Sequence, residues 1–131
     1  MKPKAMPKLR PAPAELIRVF ERAMRFLPEA EPRKMFGYPC AFVSGNLFAG
    51  LHQENLMVRL SPEDRAIFLA IAGTKPFEPM PGRPMRDYVV APANIVNSEN
   101  ELNVWLWKAF QYAQSLPPKV KKARSAKKAA P

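Results

Sequence analysis

The sequence predicts an α+β domain, with an antiparallel sheet of about five strands and helices flanking it. Three observations carry this expectation. Apolar residues recur at helical spacing over residues 13–27 and again after Ser98. Residues 40–60 instead alternate with a period of two around glycine and asparagine turn signals, as antiparallel hairpins do. Between those hairpins and a last strand, Ser61-Pro62-Glu63-Asp64 opens a further helix.

The first helix opens with Pro13 near its first position, where a missing N–H costs no hydrogen bond, and runs to about Leu27. Leu16, Phe20, Ala23 and Leu27 share one face, with Ile17 and Met24 beside them. Arg18, Glu21, Arg22 and Arg25 lie opposite, as an amphipathic surface helix requires. Pro28 and Pro32 close it. Met35-Phe36-Gly37 then reads as a short strand and Tyr38-Pro39 as a break. Gly45-Asn46 is expected as a two-residue turn, setting Phe42 opposite Ala49 and Cys40 opposite Leu51. A second turn near Glu54-Asn55 sets Leu51 opposite Val58. One sheet face then collects Cys40, Phe42, Leu47, Ala49, Leu51, Leu56, Val58 and Leu60. The other carries Ala41, Val43, Phe48, His52, Met57 and Arg59, a mixed rather than polar set.

Ser61 caps the second helix, Pro62 takes its first position, and Glu63 and Asp64 favour its positive end. Gly73 is the expected stop. Residues 76–84 hold Pro76, Pro79, Pro81 and Pro84 and read as an irregular loop or a polyproline stretch. Asp87–Ala91 is a strand ended by Pro92. The last helix starts at Ser98 with Glu101 in capping-box spacing and buries Leu102, Trp105, Leu106, Ala109, Ala113 and Leu116 before Pro117-Pro118 stop it.

The chain has 131 residues, 21 basic and 11 acidic side chains, and a formal net charge of +10. All of that excess lies in the ends. Residues 1–12 hold Lys2, Lys4, Lys8 and Arg10, and residues 117–131 hold Lys119, Lys121, Lys122, Arg124, Lys127 and Lys128, with no acid in either stretch. Residues 13–116 are neutral, so a basic isoelectric point describes two appendages and not the domain. The first is expected as a disordered proline-rich arm and the second as a disordered lysine-rich tail. The six tail cations can neutralise phosphates but have no aromatic neighbours for stacking. Weak, sequence-blind nucleic-acid contact is what they offer, beside the alternative of a solubilising tail. No apolar run behaves as a signal peptide or a membrane span, and Ala66–Ala72 is the longest. With Cys40 as the single cysteine, a cytoplasmic protein without disulfides or membrane partner is expected.

Catalytic chemistry is sparse. His52, the one histidine, sits at the end of a hairpin strand beside Gln53 and Glu54, where an edge residue is the simpler reading. Cys40 has no neighbouring charge in sequence to activate it and reads as a small buried hydrophobe. No His/Cys/Asp/Glu spacing suits a metal, and no glycine-rich loop precedes a helix to hold a phosphate. Neither an enzyme nor a cofactor is expected. Gly37–Val43 fails the RNA-recognition strand pattern, with two extra residues before Phe42 and a proline within the strand. Two sets remain as candidate sites. Arg33, Lys34, Arg83 and Arg86 form an anion or partner site if their segments meet in space, and are ordinary solvated loop ends otherwise. Phe48, Met57 and Trp107 need cover, either from a segment such as 76–84 or from a partner or second copy of the chain.

Taken together, these segments resemble the TfoX/Sxy family, in its N-terminal domain. The resemblance is carried by Arg33-Lys34-Met35-Phe36-Gly37-Tyr38-Pro39, by Phe48-Ala49-Gly50-Leu51 with Leu56-Met57-Val58-Arg59-Leu60, and by Pro76-Phe77-Glu78-Pro79-Met80-Pro81-Gly82-Arg83-Pro84-Met85. Tyr88-Val89-Val90-Ala91-Pro92 and the tryptophan-bearing last helix complete it, so that it spans about residues 13–116. It implies a two-layer α+β fold akin to secretion-chaperone-like domains, no catalytic or cofactor residues, and an association with natural competence in the namesake members. Those members carry a helical C-terminal domain, and no counterpart of it follows Leu116. The resemblance therefore points to a stand-alone regulatory or protein-interaction module.

Overall fold

In the computed structural model, residues 10–79, 82 and 85–118 are described. A six-stranded antiparallel sheet is covered on one face by helices. The strands are β1 (Glu31–Met35), β2 (Tyr38–Val43), β3 (Asn46–His52), β4 (Asn55–Arg59), β5 (Lys75–Pro76) and β6 (Tyr88–Val90), in spatial order β1-β2-β3-β4-β6-β5. The helices are α1 (Ala14–Met24), α2 (Pro62–Leu69), the single turn α3 (Ala93–Val96) and α4 (Glu99–Ser115).

Helix α1 buries Leu16, Val19, Phe20 and Ala23 and leaves its charged face in water. It stops at Met24 instead of Leu27. Pro13 is its N-cap, and the chain tightens into a turn that seats Leu27 in the core, its N–H donating to the Met24 carbonyl at 3.0 Å. The first strand differs too. It occupies Glu31–Met35, and Phe36-Gly37 is the two-residue turn into β2, with φ of 55° and 85°. Both residues sit in the left-handed region such a turn needs, which suits glycine and costs Phe36 about 1 kcal/mol.

The next turn falls at Ser44-Gly45, one residue earlier than Gly45-Asn46, so that Val43 pairs with Asn46. The register then shifts: Phe42 pairs with Leu47 but Ala41 with Ala49, leaving Phe48 as an extra, bulged residue. The bulge reverses the alternation, and adjacent Phe48 and Ala49 both enter the core beneath the helices. Ala41 and Val43 are therefore the inward residues of β2. Cys40 and Phe42 are not in that core, and Leu47 packs with the cluster on the opposite face. Leu51, Leu56, Val58 and Leu60 keep the expected inward placement.

Ser61 Oγ accepts the Asp64 N–H at 3.2 Å, but α2 ends at Leu69, short of Gly73, which lies in the turn beyond. The proline-rich segment is more regular than its composition suggests. Lys75 pairs with Val90 and Pro76 with Val89, adding a sixth strand at the sheet edge, the one place a proline is tolerated in a ladder. Phe77 then folds over the outer face onto Met57, Tyr88 and Val90.

Helix α4 lies across the inner face. Phe110 meets Phe48 edge to face with centroids 5.5 Å apart, and Trp105 meets Phe68 of α2 at 4.7 Å; such pairs add about 1 kcal/mol each beyond area burial. Its C-terminal end is fastened by Asn46, which is 4% exposed and donates its side-chain amide to the carbonyls of Pro117 (3.1 Å) and Ala113 (3.4 Å). Asn46 thus ties the β2–β3 hairpin to the far end of the last helix.

Candidate functional site

Of the four cations grouped from sequence, the three among the described residues do not converge. Arg33 and Lys34 lie on β1, at one edge of the sheet, and Arg86 lies in the turn that leads into β6. Strands β2, β3 and β4 stand between, which amounts to roughly 19 Å of strand spacing from β1 to β6. Arg83 is outside the described residues, as are Lys119, Lys121, Lys122, Arg124, Lys127 and Lys128 of the tail. The Arg33 guanidinium is engaged locally, 3.0 Å from Glu31 and 4.6 Å from the centre of the Phe42 ring.

The apolar candidates separate as well. Phe48 is fully buried under α4, and Met57 is buried under Phe77, so neither is available to a partner. Trp107 is 48% exposed even though its ring stacks on Phe110 at 5.9 Å. Val104, one helical turn earlier, is also exposed.

One concave surface does contain Arg33 and Lys34. A groove of about 470 Å³ runs between α1 and the edge strand β1. Phe20, Met24, Pro39 and Cys40 make it mainly apolar, and Glu21, Arg25 and Lys34 bring charge to it. Beyond one end of β1, at the hairpin tip, Phe36 is 79% exposed and Met35 is exposed beside it. The sequence reading found the two cations here but not the groove, because the groove exists only once α1 is laid alongside β1.

The chemically versatile side chains are occupied by packing. His52 is held between Tyr38 (centroids 5.4 Å apart) and Phe77 (5.5 Å). Tyr38 also donates its hydroxyl to the Arg10 carbonyl, which pins the end of the N-terminal arm against the sheet. Burial pushes the Cys40 thiol above its ordinary value, only partly opposed by the charge of Arg33, so it stays protonated and a poor nucleophile. Asp87 receives Arg59 at 3.2 Å and Arg65 at 3.3 Å, and Arg65 also donates to the Leu60 carbonyl at 3.0 Å, locking α2 to the β4–β6 ladder. Arg59 lies over the rings of Tyr88 and Tyr112 as well. This node was not anticipated, since its members lie far apart in sequence. Among the described residues, no group of three or more His, Cys, Asp or Glu side chains is placed to hold a metal ion, and no helix is long and apolar enough to cross a membrane.

Comparison with known proteins bears on the whole of this scaffold. The TfoX N-terminal domain family model matches residues 22–113, from the last turn of α1 to near the end of α4. No curated protein and no solved structure matches the chain. The matched span takes in the edge strand, the bulged hairpin, the proline-rich segment and the tryptophan-bearing helix, and the chain belongs to the TfoX N-terminal domain family.

Proposed function

We propose that this protein is a non-enzymatic regulatory or protein-interaction module of the cytoplasm, in the line of the competence regulators that give the family its name. The observation that carries the reading is Trp107. A tryptophan left 48% exposed on the back of α4, next to exposed Val104, is apolar area that association covers and a free monomer does not. The commitment of His52, Cys40 and Asp87 to packing and ion pairing supports the same reading.

Native mass spectrometry and affinity capture with the full chain test it. A defined partner, or a homodimer, is expected to be held and to weaken with Trp107→Ser. A strict monomer that retains nothing rejects the reading. The tail composition favours a second reading, non-specific nucleic-acid association through Lys119, Lys121, Lys122, Arg124, Lys127 and Lys128. If all six engage duplex DNA, log affinity falls with log salt at a slope of about −5. Glutamine at all six positions is expected to abolish binding, and retention unchanged by that substitution rejects the second reading.

A further inference from the structure

We propose that the β1 edge, with the α1 groove beside it, docks an extended acidic segment of a protein partner by strand addition. The proposal rests on the reading of the chain as an interaction module and names the surface and the chemistry of its ligand. Every residue of β1 is exposed, and among the described residues its only strand neighbour is β2, which leaves the other side of its backbone without a strand partner there. The groove alongside supplies apolar contact through Phe20 and Met24 for side chains of an added strand.

Phe36 points the same way. A bulky aromatic with φ of 55° is a poor turn residue, and asparagine would adopt that conformation more easily. Its ring is 79% exposed, so burial within the chain does not compensate the strain. Backbone strain without a structural return concentrates where a surface is used. At the tip of the β1–β2 hairpin, Phe36 extends the apolar contact beyond the strand.

Charge selects the partner. Glu31 already pairs with Arg33, which leaves Arg25 and Lys34 facing the single acid Glu21 around the groove. A second copy pairing antiparallel in the register centred on β1 sets Arg33 against its own counterpart, which is repulsive. Pro32 removes a donor from the edge and further discourages indiscriminate pairing. An incoming strand that alternates apolar and acidic residues satisfies both the groove and the cations.

The test uses the isotope-labelled full chain and a capped eight-residue probe peptide alternating valine and aspartate. Saturable amide shifts are expected over Arg33, Lys34, Met35 and Phe36 and over the Met24–Arg25 end of α1. The Arg25→Glu/Lys34→Glu double variant is expected to weaken binding about tenfold, and a probe with lysine in place of aspartate to show no saturable binding. Phe36→Asn is expected to keep or raise the melting temperature while weakening binding, a pairing that a purely structural role for Phe36 does not produce. Shifts centred on Val104 and Trp107, absence of saturation, or a dimer formed through β1 overturns the proposal. Shifts at Val104 and Trp107, or a partner captured equally by the double variant, leave the interaction reading intact while removing this surface from it.

Discussion

Asn46 offers the sharpest test of how this domain is held together. Its side chain is buried, 4% exposed, and its amide donates to the Ala113 carbonyl at 3.4 Å, which also accepts the Leu116 N–H at 3.2 Å, and to the Pro117 carbonyl at 3.1 Å, just past the end of α4. Replacing Asn46 by alanine removes both bonds, leaving the Ala113 carbonyl with the Leu116 N–H alone and the exposed Pro117 carbonyl to water. At about 1 kcal/mol per bond, the loss is about 2 kcal/mol, or about 8 °C in Tm for a domain of this size. Asn46→Asp goes further at neutral pH. It sets a carboxylate against two carbonyl oxygens at the negative end of α4, for a loss of about 3 kcal/mol or more. The sign of its pH dependence follows. The native state favours the protonated acid, so the native pKa lies above the unfolded value of about 3.9. The penalty is complete above the native pKa and shrinks as the pH falls toward 4. Urea unfolding followed by tryptophan fluorescence at neutral and mildly acidic pH measures both variants, with Asn100→Ala on the exposed face of α4 as control. If Asn46→Ala is no less stable than that control, the cap is refuted. If the deficit of Asn46→Asp does not shrink on acidification, the electrostatic argument fails.

Gly50 faces Cys40 so closely that an added Cβ would lie 2.8 Å from the Cys40 Cβ and 3.3 Å from its Cα; Gly50→Ala should cost about 1–3 kcal/mol in urea unfolding, and a neutral result places the strands further apart than they stand here. Asp87→Asn strands Arg59 and Arg65 without their shared anion. Because the Asp87 side chain is 35% exposed, the expected loss is only about 1–2 kcal/mol, reduced at high salt, and a salt-independent loss argues against the ion pairs. Burial raises both the Cys40 thiol, ordinarily 9.0, and the Tyr88 phenol, ordinarily 10.0, although Arg59 partly opposes the latter. Each group then ionises first in the unfolded chain, so stability is full below those ordinary values and declines as the pH rises through and beyond them. Cys40→Ala should flatten the earlier part of that alkaline decline, and an unchanged profile refutes the assignment.

The local reading and the structure agree where a signal is short-range. The charged and apolar faces of α1 follow from its own periodicity, and the Ser61 and Ser98 caps from hydroxyl oxygens three residues before the N–H groups they accept. Leu51, Leu56, Val58 and Leu60 face inward as their alternation requires. Agreement fails where one residue of register decides. With the turn at Ser44-Gly45 and Phe48 bulged, Phe48 moves from a candidate surface into the core, and Cys40 and Phe42 leave the core face. Alternation alone cannot reveal such a bulge, because the extra residue is defined only by the strand opposite.

The same division runs through the candidate surfaces. Helical geometry within its own segment places Trp107 on the outer side of α4, whereas only the folded chain decides that it stays half exposed there. Phe77 over Met57, Asp87 between two arginines, and Asn46 beneath Pro117 join residues separated by 20 or more positions, and nothing in their neighbours announces them. Sequence by itself determined the composition of the elements, the neutrality of residues 13–116 and the family. Tertiary structure alone decided which face each strand presents and that Arg33 and Lys34 border an apolar groove instead of meeting Arg86. Helix faces and caps are settled within a few residues, whereas strand faces and grooves depend on pairing partners that only the folded chain supplies.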